Sequence, residues 1–155
     1  MKKIIFGILI CVILLSSCGD ADVKEDSELS RNKYKWIEAQ ISHYKYELTL
    51  SCRCSFNDEM PLTIEVLNHK MISIFGPDGN PFPADDPNYM YIKKFTTVEN
   101  LFREILSIGG NHAAEGEVAK YHPELGYPLE ITLDYIKDTT NDEVYITISN
   151  FEQLP

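Results

Sequence analysis

The chain has 155 residues, 44% of them hydrophobic, with 14 Lys or Arg against 24 Asp or Glu and a formal net charge of −10. That length suits one domain. The acidity excludes a nucleic-acid binder, which needs a basic footprint, and docking on an anionic lipid surface by charge; it keeps a domain soluble and is compatible with a cationic partner or metal ions.

The first residues read as an address. Lys2 and Lys3 give a positive start, residues 4–15 are an unbroken apolar run, and Leu15-Ser16-Ser17-Cys18 follows. Those twelve apolar residues make roughly 18 Å of helix at about 1.5 Å each, short of a bilayer core of about 30 Å. The run therefore suits the core of a signal peptide better than a permanent span. The ending on Cys18 resembles the lipobox of bacterial lipoproteins, which implies cleavage before Cys18 and lipid, palmitate included, on that cysteine. Such an anchor attaches a protein without spanning the membrane. Residues 1–17 are accordingly expected to be a signal peptide, and residues 18–30 a lipid-anchored acidic tether with Asp20, Asp22, Glu25, Asp26 and Glu28 against Lys24. Residues 31–155 then form a single α+β domain. Removing 1–17 leaves 12 basic against 24 acidic residues, a formal −12. The expected location is the bacterial cell envelope, with the inner membrane, outer membrane and surface all open.

Within the domain, residues 31–43 carry Tyr34, Ile37 and Ile41 at helical spacing, which predicts a short amphipathic helix. Residues 44–54 alternate strictly, with Tyr44, Tyr46, Leu48, Leu50, Cys52 and Cys54 on one side, as a strand does. Pro61 opens a second strand over 62–67, and a turn at Asn68-His69 leads to a third over 70–75. Asn and His both tolerate the positive φ that a tight hairpin needs. Residues 76–88, with Pro77, Pro81, Pro83 and Pro87, form a long loop of the kind that is either a connection or a binding element. Thr96-x-x-Glu99 reads as a capping box. It opens a helix with Val98, Leu101, Phe102, Ile105 and Leu106 on one face, ended by Gly109-Gly110. Strands are expected over 117–122, 128–136 and 143–151, with turns at 123–126 and 138–142. The order suggests an α+β fold, a mainly antiparallel sheet with two helices packed on one face in αβββ-αβββ order.

Three constellations could carry chemistry. Cys52 and Cys54 are a pair that an oxidising compartment would join. Residues two apart in a strand stand about 6.6 Å apart, at the edge of disulfide geometry, so the bond needs a local bend. Reduced core thiols, a metal site and redox activity stay open beside it. Two thiolates do not complete a zinc site, and His43, His69, His112 and His122 lie at no ligand spacing, so no metal is expected. Second, Asp134, Asp138, Asp142 and Glu143 surround the last turn, without the pattern of a dedicated calcium loop. Third, Asp85, Asp86, Tyr89 and Tyr91, in and beside the long loop, are candidate partner-binding residues.

Several pieces read together: Trp36, Tyr44-x-Tyr46, Cys52-x-Cys54, the hairpin at Asn68, Leu101-Phe102, Tyr121, Gly126-Tyr127-Pro128, Asp134 and Asp142-Glu143. Their order and spacing resemble the bacterial exported family called domain of unknown function 6174, over roughly residues 34–151. One departure is His69, where that hairpin would favour Gly. The resemblance supports one domain and implies no activity. No nucleophile elbow, phosphate loop, His-Glu-x-x-His or dinucleotide fingerprint occurs, so the reading leans away from an enzyme and no cofactor is expected. The leading expectation is a non-enzymatic binding or structural domain, membrane-attached through lipid on Cys18 and meeting an envelope protein or component. A thiol-redox or metal-handling protein using Cys52 and Cys54 is a second reading, and an inhibitor of a basic envelope enzyme a third.

Overall fold

A computed structural model of the chain describes residues 27–109, 119–135, 139 and 142–155. Ser27 opens helix α1 (Glu28–Ala39), its hydroxyl accepting from the Ser30 amide at 3.2 Å. Such a cap satisfies one of the free amides of the first turn. Gln40 ends the helix in the left-handed region at φ 49°, which is why it stops short of residue 43. Helix α1 starts in what the charge pattern suggested was tether, because a serine cap and Leu29 packed on the core outweigh the local acidity.

Strand β1 (His43–Ser51) follows. Its Tyr44, Tyr46, Leu48 and Leu50 are buried while Lys45, Glu47 and Thr49 face outward. Strands β2 (Leu62–Leu67) and β3 (Lys70–Phe75) form a hairpin turned by Asn68 at φ 49° and His69 at φ 63°. After residues 76–88 come a one-turn helix, α2 (Tyr89–Ile92), a tight turn Lys93–Phe95, and helix α3 (Val98–Gly109). The last strands are β4 (Ala119–Tyr121), β5 (Pro128–Leu133) and β6 (Val144–Gln153).

All six strands pair antiparallel in one sheet ordered β3-β2-β1-β6-β5-β4. This corrects the αβββ-αβββ layout with two helices on one face. The described residues are mostly β, with three short helices among them. The extra helix was invisible in the sequence because one turn is too short to display a 3.6-residue period. Asp86 starts it locally, its Oδ1 accepting from the Asn88 amide at 2.7 Å.

One apolar face of the sheet carries the core, where Tyr44, Tyr46, Leu48, Ile64 and Ile146 meet Trp36, Ile92, Phe95, Leu101 and Phe102. In β6 the alternation Val144, Ile146, Ile148 breaks at Asn150, whose φ is +50°. The β1–β6 register shifts there, between Lys45 and Glu47. This bulge puts Phe151 against Tyr44 at 5.3 Å, Trp36 at 6.0 Å and Tyr127 at 4.4 Å between ring centroids. The cluster seats α1. Gly126, at φ +76°, lets α1 approach: a Cβ built there would fall 2.2 Å from the Asn32 carbonyl oxygen. Only glycine provides both that conformation and that room.

Among the described residues no helix is long and apolar enough to cross a membrane.

Candidate functional site

The buried side of α1 is Asn32 and Trp36, with Leu29 and Ala39 partly buried, not Tyr34 and Ile37 as helical spacing suggested. Ile37 is 60% exposed. Asn32 belongs inside because its amide donates to the Glu28 carbonyl at 2.9 Å, which removes the cost of burying it. On α3, Val98, Leu101, Phe102 and Ile105 are buried, but Leu106 is 48% exposed. Ile37 and Leu106 face the same space. Between α1, α3 and the β2–β3 turn lies an open groove of about 680 Å³ whose apolar wall is Trp36, Ile37, Ile41, Phe102 and Leu106.

The polar side of the groove is built around Glu99. The capping box expected at Thr96 is displaced by one residue: Thr97 caps α3, its hydroxyl accepting from the Asn100 amide at 3.1 Å, while Thr96 donates to the Lys93 carbonyl. Tyr44, buried below, accepts from the Val98 amide at 3.1 Å. Thus Glu99 is released from capping. Its Oε1 takes the indole N–H of Trp36 at 3.0 Å and lies 2.9 Å from Nδ1 of His69. Burial pushes its carboxyl up, but the bonds from Trp36, His69 and its own amide outweigh that and hold it below the usual carboxylate range.

His69 accounts for the hairpin's departure from glycine. A left-handed non-glycine residue costs on the order of 1–2 kcal/mol, and here it carries a side chain onto Glu99 across the groove mouth. Strain of this kind points to function. Lys33 on α1 and Arg103 on α3 also line the groove. Neither forms an ion pair among the described residues.

The second site is at the end of β1. The strand stops at Ser51, so Cys52 and Cys54 lie beyond the ladder, in a bend, rather than in the strand the alternation predicted. There they form a close pair, with Cα atoms 5.1 Å apart, within the range a disulfide spans. The side-chain amide of Asn57 donates to the Cys52 carbonyl at 2.7 Å. The pair borders an open hollow of about 290 Å³ with Arg53, Tyr91, Lys94 and Tyr135. The Lys94 ammonium stands 5.4 Å from the centroid of the Tyr91 ring.

The remaining sequence candidates are dispersed. Tyr89 and Tyr91 belong to α2, Tyr89 stacked on Phe82 and Tyr91 against Phe56 and Phe95. Asp85 is exposed, and Asp86 starts the helix. Asp142 and Glu143 border the disulfide hollow, and Asp134 stands at the end of β5; Asp138 lies outside the described residues, as do Cys18 and the tether up to residue 26. Among the described residues no three of His, Cys, Asp or Glu converge as metal ligands. Sequence reasoning missed the groove. The sequence pattern puts Glu99 in a cap and Ile37 and Leu106 on apolar helix faces, and helical spacing carries no signal that those two side chains stay exposed.

No curated protein and no solved structure matches the chain. One protein family, described as a family of unknown function and numbered domain of unknown function 6174, matches residues 28–153. The chain belongs to this family.

Proposed function

We propose that this member of a family of unknown function is a non-enzymatic binding domain, tethered to the bacterial envelope by lipid on Cys18, that holds a single-chain amphiphile with an anionic head in the groove between α1 and α3. One observation carries the reading: an apolar wall with exposed Ile37 and Leu106 shares its groove with two cations, Lys33 and Arg103, one on each helix. Ligand sites combine such an apolar lining with few polar groups that fix orientation, at volumes of roughly 300–1,000 Å³. The protein's net charge of −10 disfavours an anionic membrane surface but not one anionic head. At physiological salt, charges beyond about 8 Å are largely screened. The acid that lines the groove, Glu99, is already engaged by Trp36 and His69. A tether of acidic residues would keep the groove within reach of envelope lipids while the domain itself stays off the surface.

Trp36 is the single tryptophan of the chain and stands in the groove wall, so its fluorescence reports occupancy. Titration with laurate is expected to shift it saturably, at least about tenfold more tightly than with dodecanol, a difference of about 1.4 kcal/mol. Equal binding of the two, tighter binding of dodecyltrimethylammonium, or binding only of an acidic apolar peptide would each refute the amphiphile. The anchor is tested separately: Cys18→Ser should abolish labelling by a palmitate analogue and release the protein from membranes. Unchanged fractionation would sink that part alone.

A further inference from the structure

We propose that Cys52 and Cys54 form an exchange-competent redox site that accepts two electrons from a dithiol, and not a bond that holds the fold together. The bond spans a sequence separation of only two residues, so it joins no distant parts of the chain and constrains the unfolded state little. It lies past the last ladder pair of β1, Ser51 with Tyr145, so no strand pairing depends on it. The bend is held independently: Asn57 grips the Cys52 carbonyl, and the neighbouring Phe56 is buried against Tyr91. Opening the bond therefore leaves its frame in place.

The surroundings suit exchange. Both cysteines are half-buried, on the wall of a hollow open to solvent. Arg53 and Lys94 line that hollow, and cations beside a thiol favour the thiolate, which is both the attacking and the leaving form. Asp142 and Glu143 line it as well, and neither is free. Tyr91 and Tyr135 complete the wall, an aromatic surface on which a partner's side chains can rest.

The exchange balances as follows. One thiolate of the dithiol attacks a sulfur of the pair, forming a mixed disulfide, and the S–S electron pair departs on the other cysteine, which takes a proton from solvent. The second thiol of the dithiol, deprotonated, attacks its own partner sulfur in the mixed disulfide and expels the remaining cysteine, which is protonated in turn. The dithiol is oxidised to a disulfide, and Cys52 and Cys54 are reduced to two thiols.

The test uses the oxidised full chain in dithiothreitol without denaturant, followed by acid quench, alkylation and mass measurement. Both thiols should appear together while the far-ultraviolet circular dichroism is unchanged, at a rate within roughly tenfold of that for the chain unfolded in guanidinium. The reduced chain should still melt cooperatively. Arg53→Ala with Lys94→Ala should slow exchange about threefold in the native chain and leave the unfolded rate alone. Thiols that appear only on unfolding, a native rate indifferent to both cations, or loss of cooperative melting on reduction would each overturn the proposal. The parent chain alone supplies the first and last readouts, so a variant that fails to fold does not blunt the test. A failed laurate titration would leave it standing.

Discussion

The groove and the disulfide corner are built from opposite kinds of contact. The groove exists because parts of the chain far apart in sequence meet: Trp36 from α1, His69 from the hairpin and Glu99 from α3 share two hydrogen bonds. At the corner the cysteine pair itself is local, within residues 52–57, in a bend held by one side-chain contact, and distant residues such as Tyr91 and Lys94 only line the hollow beside it. A site made of long-range contacts falls with the packing that assembles it, whereas a local site outlasts changes elsewhere.

The largest expected effect tests that contrast. Gly126→Ala forces a Cβ into the Asn32 carbonyl at a left-handed position. It should cost about 2–3 kcal/mol and displace α1, abolishing laurate binding while native thiol exchange at the corner persists. Guanidinium melts and alkylation rates on one sample check both. If exchange falls in parallel, the two regions are one cooperative unit.

Next, removing the bond by Cys52→Ser with Cys54→Ser should destabilise by no more than about 1.6 kcal/mol, the entropy of a three-residue loop, against about 3 kcal/mol for a 15-residue one. Laurate affinity should be untouched. A larger loss would make the bond structural.

Lys33→Ala with Arg103→Ala should weaken laurate binding about tenfold, or about 1.4 kcal/mol, with little change in melting, since exposed charges contribute little to stability. The salt dependence of binding should shrink in step.

His69→Gly separates stability from binding. It relieves a backbone strain of order 1–2 kcal/mol and gives up an exposed contact worth less than 1 kcal/mol. Melting should therefore hold or rise slightly while laurate affinity changes.

The smallest effect is the pH dependence of Glu99. Its folded carboxyl lies below the usual range, so the stability it contributes is complete above the unfolded value and is lost as pH falls through the folded one. Melting followed from about pH 6 to about pH 3 should fall less steeply in Glu99→Gln than in the parent.

Much of this was legible in order along the chain. The alternation from Tyr44 to Leu50, the Asn68-His69 turn and the apolar face of α3 are each written in neighbouring residues, and the family membership follows the same pieces. The site was legible only in fragments. Trp36 and the cysteine pair stood out, but Glu99 looked like a cap and Ile37 like core. One reason is that a helix's apolar period does not say how wide a stripe its partners will cover. The other is that Thr96 and Thr97 are equally good caps until Tyr44 takes the Val98 amide.

The sequence by itself determined the six strands, α1 and α3, the acidity and the Cys-x-Cys spacing, because these depend on local period, turn chemistry and composition. Only the tertiary structure decided the strand order, the bulge that turns Phe151 inward, the close approach at Gly126 and the groove that these create. Those depend on which distant surfaces bury one another, and burial is a property of the packed chain.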